Sequence, residues 1–301
     1  MRRVERLVYA ALAALALACA AGGARGDEVV LHTERSLYRT IVVYDDDGQR
    51  CMRFTRQSTA RQSCMTLAEP HRILFDYLRM MLGALYVLPE PRRILVIGLG
   101  GGTLVDALQR VLPSAHIDAV ELDPAVVGVA QRYFAFQPGP NVQVHEQDGR
   151  VFVKRALRSG QKYDLVMLDA YDHEYIPEHL LTQEFLREVQ AILTPGGVVA
   201  ANTFSSSRLY DHESATYASV FGRFFNLKRR NRVIIARAGD LPDIETIRRN
   251  AERWQGALAP AGVDGNWLTG LFDTTPDWRT DARILTDRYS PSNLLNSTRG
   301  P

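Results

Sequence analysis

Five short apolar runs, "ILVIGL", "HIDAVEL", "VQVHEQD", "YDLVMLD" and "GVVAANTF", recur between Ile94 and Phe204, each separated from the next by a stretch of helical length. Short strands joined by connections of that length cannot form hairpins. They return parallel, through right-handed crossover helices that cover both faces of one sheet. The pattern predicts helices ending near Val111, Phe134 and Leu157, and another beginning at Thr182. Beyond them "NLKRRNRVIIARAG" predicts a terminal antiparallel pair, with its basic residues on an exposed edge. Residues 243–258 read as helix and the remainder to Pro301 as irregular.

Ahead of the sheet, "RTIVVYDDDGQRCMRF" alternates as paired strands do, and Asp45, Asp46, Asp47 and Gly48 supply turn chemistry between them. Residues 28–68 are expected to form a small antiparallel layer. Cys51 and Cys64 flank a polar turn near Ser58 and Thr59, a placement that would let them face each other as a disulfide across a hairpin. The period then changes, and Leu74, Tyr77, Leu78, Met81 and Leu85 fall on one stripe of a predicted helix.

The first residues differ in kind. Arg2, Arg3 and Arg6 precede an apolar stretch of 15 residues from Leu7 to Ala21, followed by "GGARGDE". This is the order of an export signal, and the stretch is short for a spanning helix, which needs roughly 20 residues. Cleavage after Ala18-Cys19-Ala20 would release the chain to the periplasm, whereas lipidation of Cys19 would tether it to a membrane. Residues 1–26 are therefore set apart as a signal peptide or lipoprotein signal. An exported chain also passes through a compartment where disulfides form. The net charge of +2 leaves no basic surface of the kind that phosphate backbones require, so nucleic acid is not an expected partner.

Chemistry-bearing residues collect at the carboxyl ends of the predicted strands, where ligands of open α/β sheets bind. Gly98, Gly100, Gly101 and Gly102 follow the first strand and open a helix, a turn that brings backbone close to a ligand. Glu121 ends the second strand, placed either to accept two ribose hydroxyls or to act as a helix N-terminal acid before Pro124. Asp148, beside Gly149, ends the third, and a carboxylate there would accept from an exocyclic adenine amine. Asp169 ends the fourth.

The run "ILVIGLGGG", "VELDPAVV", "DGRVF" and "YDLVMLDAYD" resembles the spermidine synthase family of polyamine aminopropyltransferases, over residues 28 to about 240. The tail "ILTDRYSP", residues 284–291, is similar to the bacterial spermidine-synthase-like branch. The resemblance implies an α/β fold: a Rossmann-like parallel sheet of the S-adenosylmethionine type, with terminal antiparallel strands and a small antiparallel β layer before it. It divides the chain into that layer, a catalytic domain at 69–240 and a helical and irregular tail at 241–301. It implies transfer of an aminopropyl group from decarboxylated S-adenosylmethionine to a polyamine such as putrescine, without a metal. Asp169 would be the general base, and Asp172, Tyr171 and Tyr77 would contact the cationic substrate. A homodimer and an N-terminal membrane tether are further expectations about partners.

Two positions depart from the family pattern. Its glycine loop carries an acid where this chain has Gly101, and its Tyr-Gln pair becomes Tyr77-Leu78. A bare loop at a helix N-terminus would suit the carboxylate of intact S-adenosylmethionine, so a methyltransferase is the competing reading. A catalytically inactive module binding polyamine or nucleoside is the third. "HEYIPEH", residues 173–179, lacks the H-E-x-x-H spacing that sets two zinc ligands on one helical face, and no metal is expected there. Ser205, Ser206 and Ser207 lack a nucleophile elbow and read as a loop over the ligand.

Overall fold

The structure, a computed structural model, describes residues 28–170, 176–203 and 208–297. An antiparallel layer comes first, in the order β1 (Val29–Arg35), β2 (Thr40–Asp46), β3 (Gln49–Arg53) and β4 (Ser63–Thr66). Cys51 and Cys64 are register partners of β3 and β4, with their sulfurs 2.04 Å apart. The inner face of this layer is apolar: Ile41, Val43, Met52 and Met65 pack with Val126, Val129 and Phe134. The layer thereby closes down on the main sheet's helices.

The main sheet has seven strands. The five predicted runs form β5 (Arg93–Ile97), β6 (His116–Glu121), β7 (Val142–Glu146), β8 (Tyr163–Leu168) and β9 (Leu193–Thr203), all parallel; β10 (Phe224–Lys228) and β11 (Arg232–Arg237) add an antiparallel pair. The order is β10-β11-β9-β8-β5-β6-β7. Chain direction across the sheet reverses beside β5, which pairs β6 on one side and β8 on the other. That switch point opens the crevice in which such sheets bind ligands.

The crossover helices are Thr103–Val111, Pro124–Tyr133, Gly149–Ser159 and Gln183–Ile192, and the last three start at side-chain caps. Asp123 accepts from the Ala125 amide, Asp148 from Val151 and Thr182 from Phe185, satisfying donors that a helix start leaves without partners. Helix Ile244–Leu258 covers one face, burying Ile247, Ala251, Trp254 and Leu258. Among the described residues no helix is long and apolar enough to cross a membrane.

Two expectations need correction. The single helix drawn through Leu74 to Leu85 is two short helices, Asp76–Met81 and Ala84–Val87, with Leu74 outside both. Between them a Cβ at Gly83 would stand 2.8 Å from the Met80 carbonyl and 3.2 Å from the Phe272 ring, so the tail's aromatic fills the break. The basic run is an exposed edge only in part: Lys228, Arg229 and Arg230 are exposed at the end of edge strand β10, but the next arginine is not. β11 lies inside the sheet, and Arg232 is wholly buried, bonding Glu213 Oε2 at 2.6 Å and Thr203 Oγ1 at 2.6 Å over the Tyr210 ring.

Removing half of a buried ion pair costs far more than replacing both halves, because the remaining charge stays in low dielectric. Arg232→Ala is therefore expected to destabilise by about 3–5 kcal/mol in urea unfolding, and Arg232→Met with Glu213→Leu to recover most of it. Equal losses in the single and double variants would contradict this.

Candidate active site

The site is built on the carboxyl edges of β5, β6 and β8 and on the glycine turn. Gly98 has φ +96°, and a Cβ there would lie 2.2 Å from the Asp169 carbonyl oxygen. β8 can pass so close to β5 only because position 98 lacks a side chain. The Asp169 amide donates to the Ile97 carbonyl at 2.8 Å, which fixes the height at which the Asp169 side chain leaves the sheet.

One cavity gathers Tyr77, Gly98, Gly100, Glu121, Asp148, Gly149 and Asp169. Gly101 and Gly102 belong to the same turn but face away from the cavity, toward the layer and the Phe136 ring. At Gly101 the backbone amide donates to Ser63 Oγ at 2.8 Å, and a Cβ would meet Ser63 at 3.0 Å and Phe134 at 3.1 Å. The N-terminal layer occupies the space an acidic side chain would need. Tyr171 and Asp172 lie outside the described residues, as do His173 and Ser205 to Ser207.

Glu121 receives the amide of Leu99 on Oε2 at 3.0 Å and the amide of Asp123 on Oε1 at 3.1 Å. It is not the helix cap; Asp123 is, and each Glu121 oxygen keeps a further lone pair for the cavity. Burial raises its pKa, and the two amides and Arg39 oppose that rise. Asp148 caps its own helix with Oδ1 and meets His179 Nε2 with Oδ2 at 2.8 Å. The His179 hydrogen bond is the main reason its carboxyl stays below the usual range.

Asp169 is the perturbed group of the set. Burial pushes its carboxyl up to about 7, the Glu121 charge adds to that, and hydrogen bonds from Asn202 and Tyr77 restrain it. Asn202 Nδ2 donates to Oδ1 at 3.0 Å and the Tyr77 hydroxyl to Oδ2 at 3.4 Å. Tyr77, its own pKa driven well up by burial and then by the Asp169 charge, remains a donor. A carboxylate held near neutrality between two donors at a cavity wall is poised to take a proton.

Sequence reasoning missed Asn202 and misjudged the interest of His179. Asn202 ends the apolar run of β9 on the same rim as the three acids, and that position was a usable signal. Its Oδ1 is buried in the cavity wall without a hydrogen-bond partner among the described residues, an acceptor beside Asp169 that suits an amine or ammonium. His179 was weighed only as a metal ligand, whereas it bonds Asp148. Among the described residues no three or more His, Cys, Asp or Glu side chains are grouped to hold a metal ion.

Comparison with known proteins gives consistent relationships. The chain is 46% identical to a polyamine aminopropyltransferase of Vibrio vulnificus over 276 residues, covering 90% of this chain and 92% of that one. A human eEF1A lysine and N-terminal methyltransferase is 32% identical over 143 residues, covering 44% of this chain and 20% of its own length. In fold, the chain is similar to a spermidine synthase solved with the transition-state analogue AdoDATO, with a TM-score of 0.62 at 19% identity, covering 83% of this chain and 85% of that one. A family model described as the spermine/spermidine synthase domain matches residues 75–231, more than half of the 301, and includes every cavity acid named above. With that span and the Vibrio relationship together, the chain belongs to the spermine/spermidine synthase family.

Proposed function

We infer that this protein is a polyamine aminopropyltransferase, using decarboxylated S-adenosylmethionine as donor and a polyamine such as putrescine as acceptor. The observation that carries the reading is Asp169, a near-neutral carboxylate sharing one cavity with Glu121 and Asp148. Glu121 accepts the donor's ribose hydroxyls and Asp148 the exocyclic amine of its base, with Gly98 and Gly100 giving the nucleoside room against the turn.

The acceptor arrives as an ammonium with a pKa of about 10 and must lose a proton before it can attack. Its terminal nitrogen is held between Asp169 and Asn202 Oδ1, in line with the methylene beside the donor's sulfonium. The nitrogen–carbon bond forms, the carbon–sulfur bond breaks, and its electron pair stays on sulfur, releasing methylthioadenosine. Asp169 takes the proton. The sulfonium leaves without assistance, so the protein's work is orientation and proton removal. Asp172 and Tyr171 are assigned to the path of the cationic chain by position in the sequence.

Purified protein incubated with putrescine and decarboxylated S-adenosylmethionine should yield methylthioadenosine and spermidine in equal amounts by mass spectrometry. The absence of an acid at Gly101 and the partial identity to a methyltransferase favour one second reading, methyl transfer from intact S-adenosylmethionine. With intact S-adenosylmethionine supplied as donor in a parallel incubation, adenosylhomocysteine as sole product of the two assays would replace the first reading with the second. Neither product would leave a binding module.

The pH dependence follows from Asp169. A base must be ionised, so kcat/KM is expected to fall about tenfold per pH unit below a pKa near 7, and the acceptor's deprotonation adds a rise at higher pH. A profile flat between about pH 5.5 and 7, a window that lies on the falling limb, would remove Asp169 as the base.

We further propose that residues 1–26 direct export to the periplasm, with or without a lipid at Cys19, and that Cys51 and Cys64 form a disulfide there. The N-terminal mass of mature protein and free-thiol titration test both. A chain starting at Met1 in the cell fraction would contradict export.

A further inference from the structure

The tail segment "ILTDRYSP", residues 284–291, lies beyond the family match and does not line the active-site cavity, yet it is fastened to the cavity's wall. Leu285 is buried with Ile176, Leu181 and Leu209, and Ser290 Oγ donates to the Glu178 carbonyl at 3.1 Å. Asn293, just past the segment, receives the Ile176 amide at 2.9 Å and returns a bond to its carbonyl at 3.0 Å. Pro177 and His179, in the span so held, line the cavity.

The central tie is Arg150, two residues after Asp148 and 7% exposed. Its guanidinium makes a fork to Glu188 at 2.8 and 2.9 Å and a second fork to Asp287 at 2.6 and 2.8 Å. The same Nη1 donates to the His179 carbonyl at 3.2 Å, and His179 Nε2 meets Asp148 Oδ2 at 2.8 Å. Asp287 Oδ1 also accepts from the Thr182 hydroxyl at 2.7 Å, next to the 3-10 turn Glu178–Leu180 that carries His179. Planar forks of this kind fix direction as well as distance. A chain of bonds therefore runs from the tail through Arg150 and His179 to Asp148.

We propose that Asp287 is a positioning residue for base recognition: it fixes Arg150 and the His179 turn, and these orient the Asp148 carboxylate toward the exocyclic amine of the donor's adenine. This rests on the adenosine reading of the cavity given above. Asp148 has one oxygen committed to its helix cap and the other to His179, so its free lone pairs point where those two bonds leave them. Were the His179 turn to shift, the carboxylate would keep its charge but lose its aim. Recognition of the amine suffers before binding of the sugar does.

The test uses the full chain and two product-like nucleosides, 5′-methylthioadenosine and 5′-methylthioinosine, the second bearing a ring oxygen substituent in place of the amine. Calorimetry on the native protein is expected to favour the adenosine form by about 100-fold. Asp287→Asn and Asp287→Ala should each cut that preference about tenfold by weakening methylthioadenosine alone, with donor KM raised and kcat at saturating donor within about twofold. Asp287→Glu, which keeps the charge, should restore part of the preference. The Asp287 side chain is 43% exposed, and unfolding of each variant by circular dichroism confirms that it folds. Unchanged preference in the variants, or equal weakening of both nucleosides, would overturn the role of Asp287 while leaving the adenosine site intact. Failure of the native protein to bind methylthioadenosine would instead overturn the adenosine site itself, and this role with it.

Discussion

Replacing Asp169 by asparagine is expected to lower kcat by about a thousandfold or more while methylthioadenosine affinity stays within about twofold. The amide is isosteric. Its oxygen still receives Asn202 Nδ2, and its nitrogen can donate to the Tyr77 hydroxyl, so the cavity wall keeps its shape. What disappears is, among the described residues, the one cavity acid that neither caps a helix nor receives amides from the glycine turn and the strand end, as Asp148 and Glu121 do. Stopped-flow or single-turnover assays at saturating donor separate this loss from binding. A variant turning over at the native rate would end the assignment.

The same substitution is expected to stabilise the protein above neutral pH. A carboxyl raised to about 7 in the folded chain, against an ordinary value near 4 when unfolded, binds more protons folded than unfolded between those limits. Stability from this group therefore falls as pH rises through that window, and the full penalty is present above about pH 7. The neutral amide removes it, and the melting temperature should rise by about 5 °C at pH 8, with the difference shrinking toward pH 4. Activity and stability are opposed at this residue, as at other sites where a strained charge does the chemistry.

Gly98→Ala has the second large expected effect. The added methyl would sit 2.2 Å from the Asp169 carbonyl oxygen and 2.5 Å from its carbon, in a conformation of φ +96° that side chains resist. Neither atom belongs to a flexible side chain. Relief requires β5 and β8 to separate at their ends, breaking the bond from the Asp169 amide to the Ile97 carbonyl. A destabilisation of about 3 kcal/mol or more is expected, with turnover lost in whatever fraction remains folded. Denaturant midpoint and activity together check it, and a native-like midpoint with native turnover would show that the two strands are less tightly apposed.

Much of the fold was legible because its central strands are buried on both faces, and burial writes itself as unbroken apolar runs such as Leu95 to Ile97 and Leu165 to Leu168. The acids at strand ends were legible for a related reason: a polar residue ending such a run stands at the ligand-binding rim. Three things were not. The break at Gly83 depends on Phe272, almost two hundred residues away, and no local pattern encodes it. The burial of Arg232 depends on Glu213 and Thr203, so a basic residue that reads as solvated edge is part of an interior network. The choice between two roles for Glu121 needed coordinates, because Glu121 and Asp123 are both plausible caps by spacing and only Asp123 bonds the helix's amide.

The account stands or falls on what Glu121, Asp148 and Asp169 hold between them, and a crystal structure of the protein with methylthioadenosine and putrescine measures that directly. The expected result places the ribose hydroxyls on Glu121, the exocyclic amine on Asp148, and one putrescine nitrogen within hydrogen-bonding distance of both Asp169 and Asn202 Oδ1. A nucleoside bound away from the glycine turn, or an amine bound out of reach of Asp169, would contradict it.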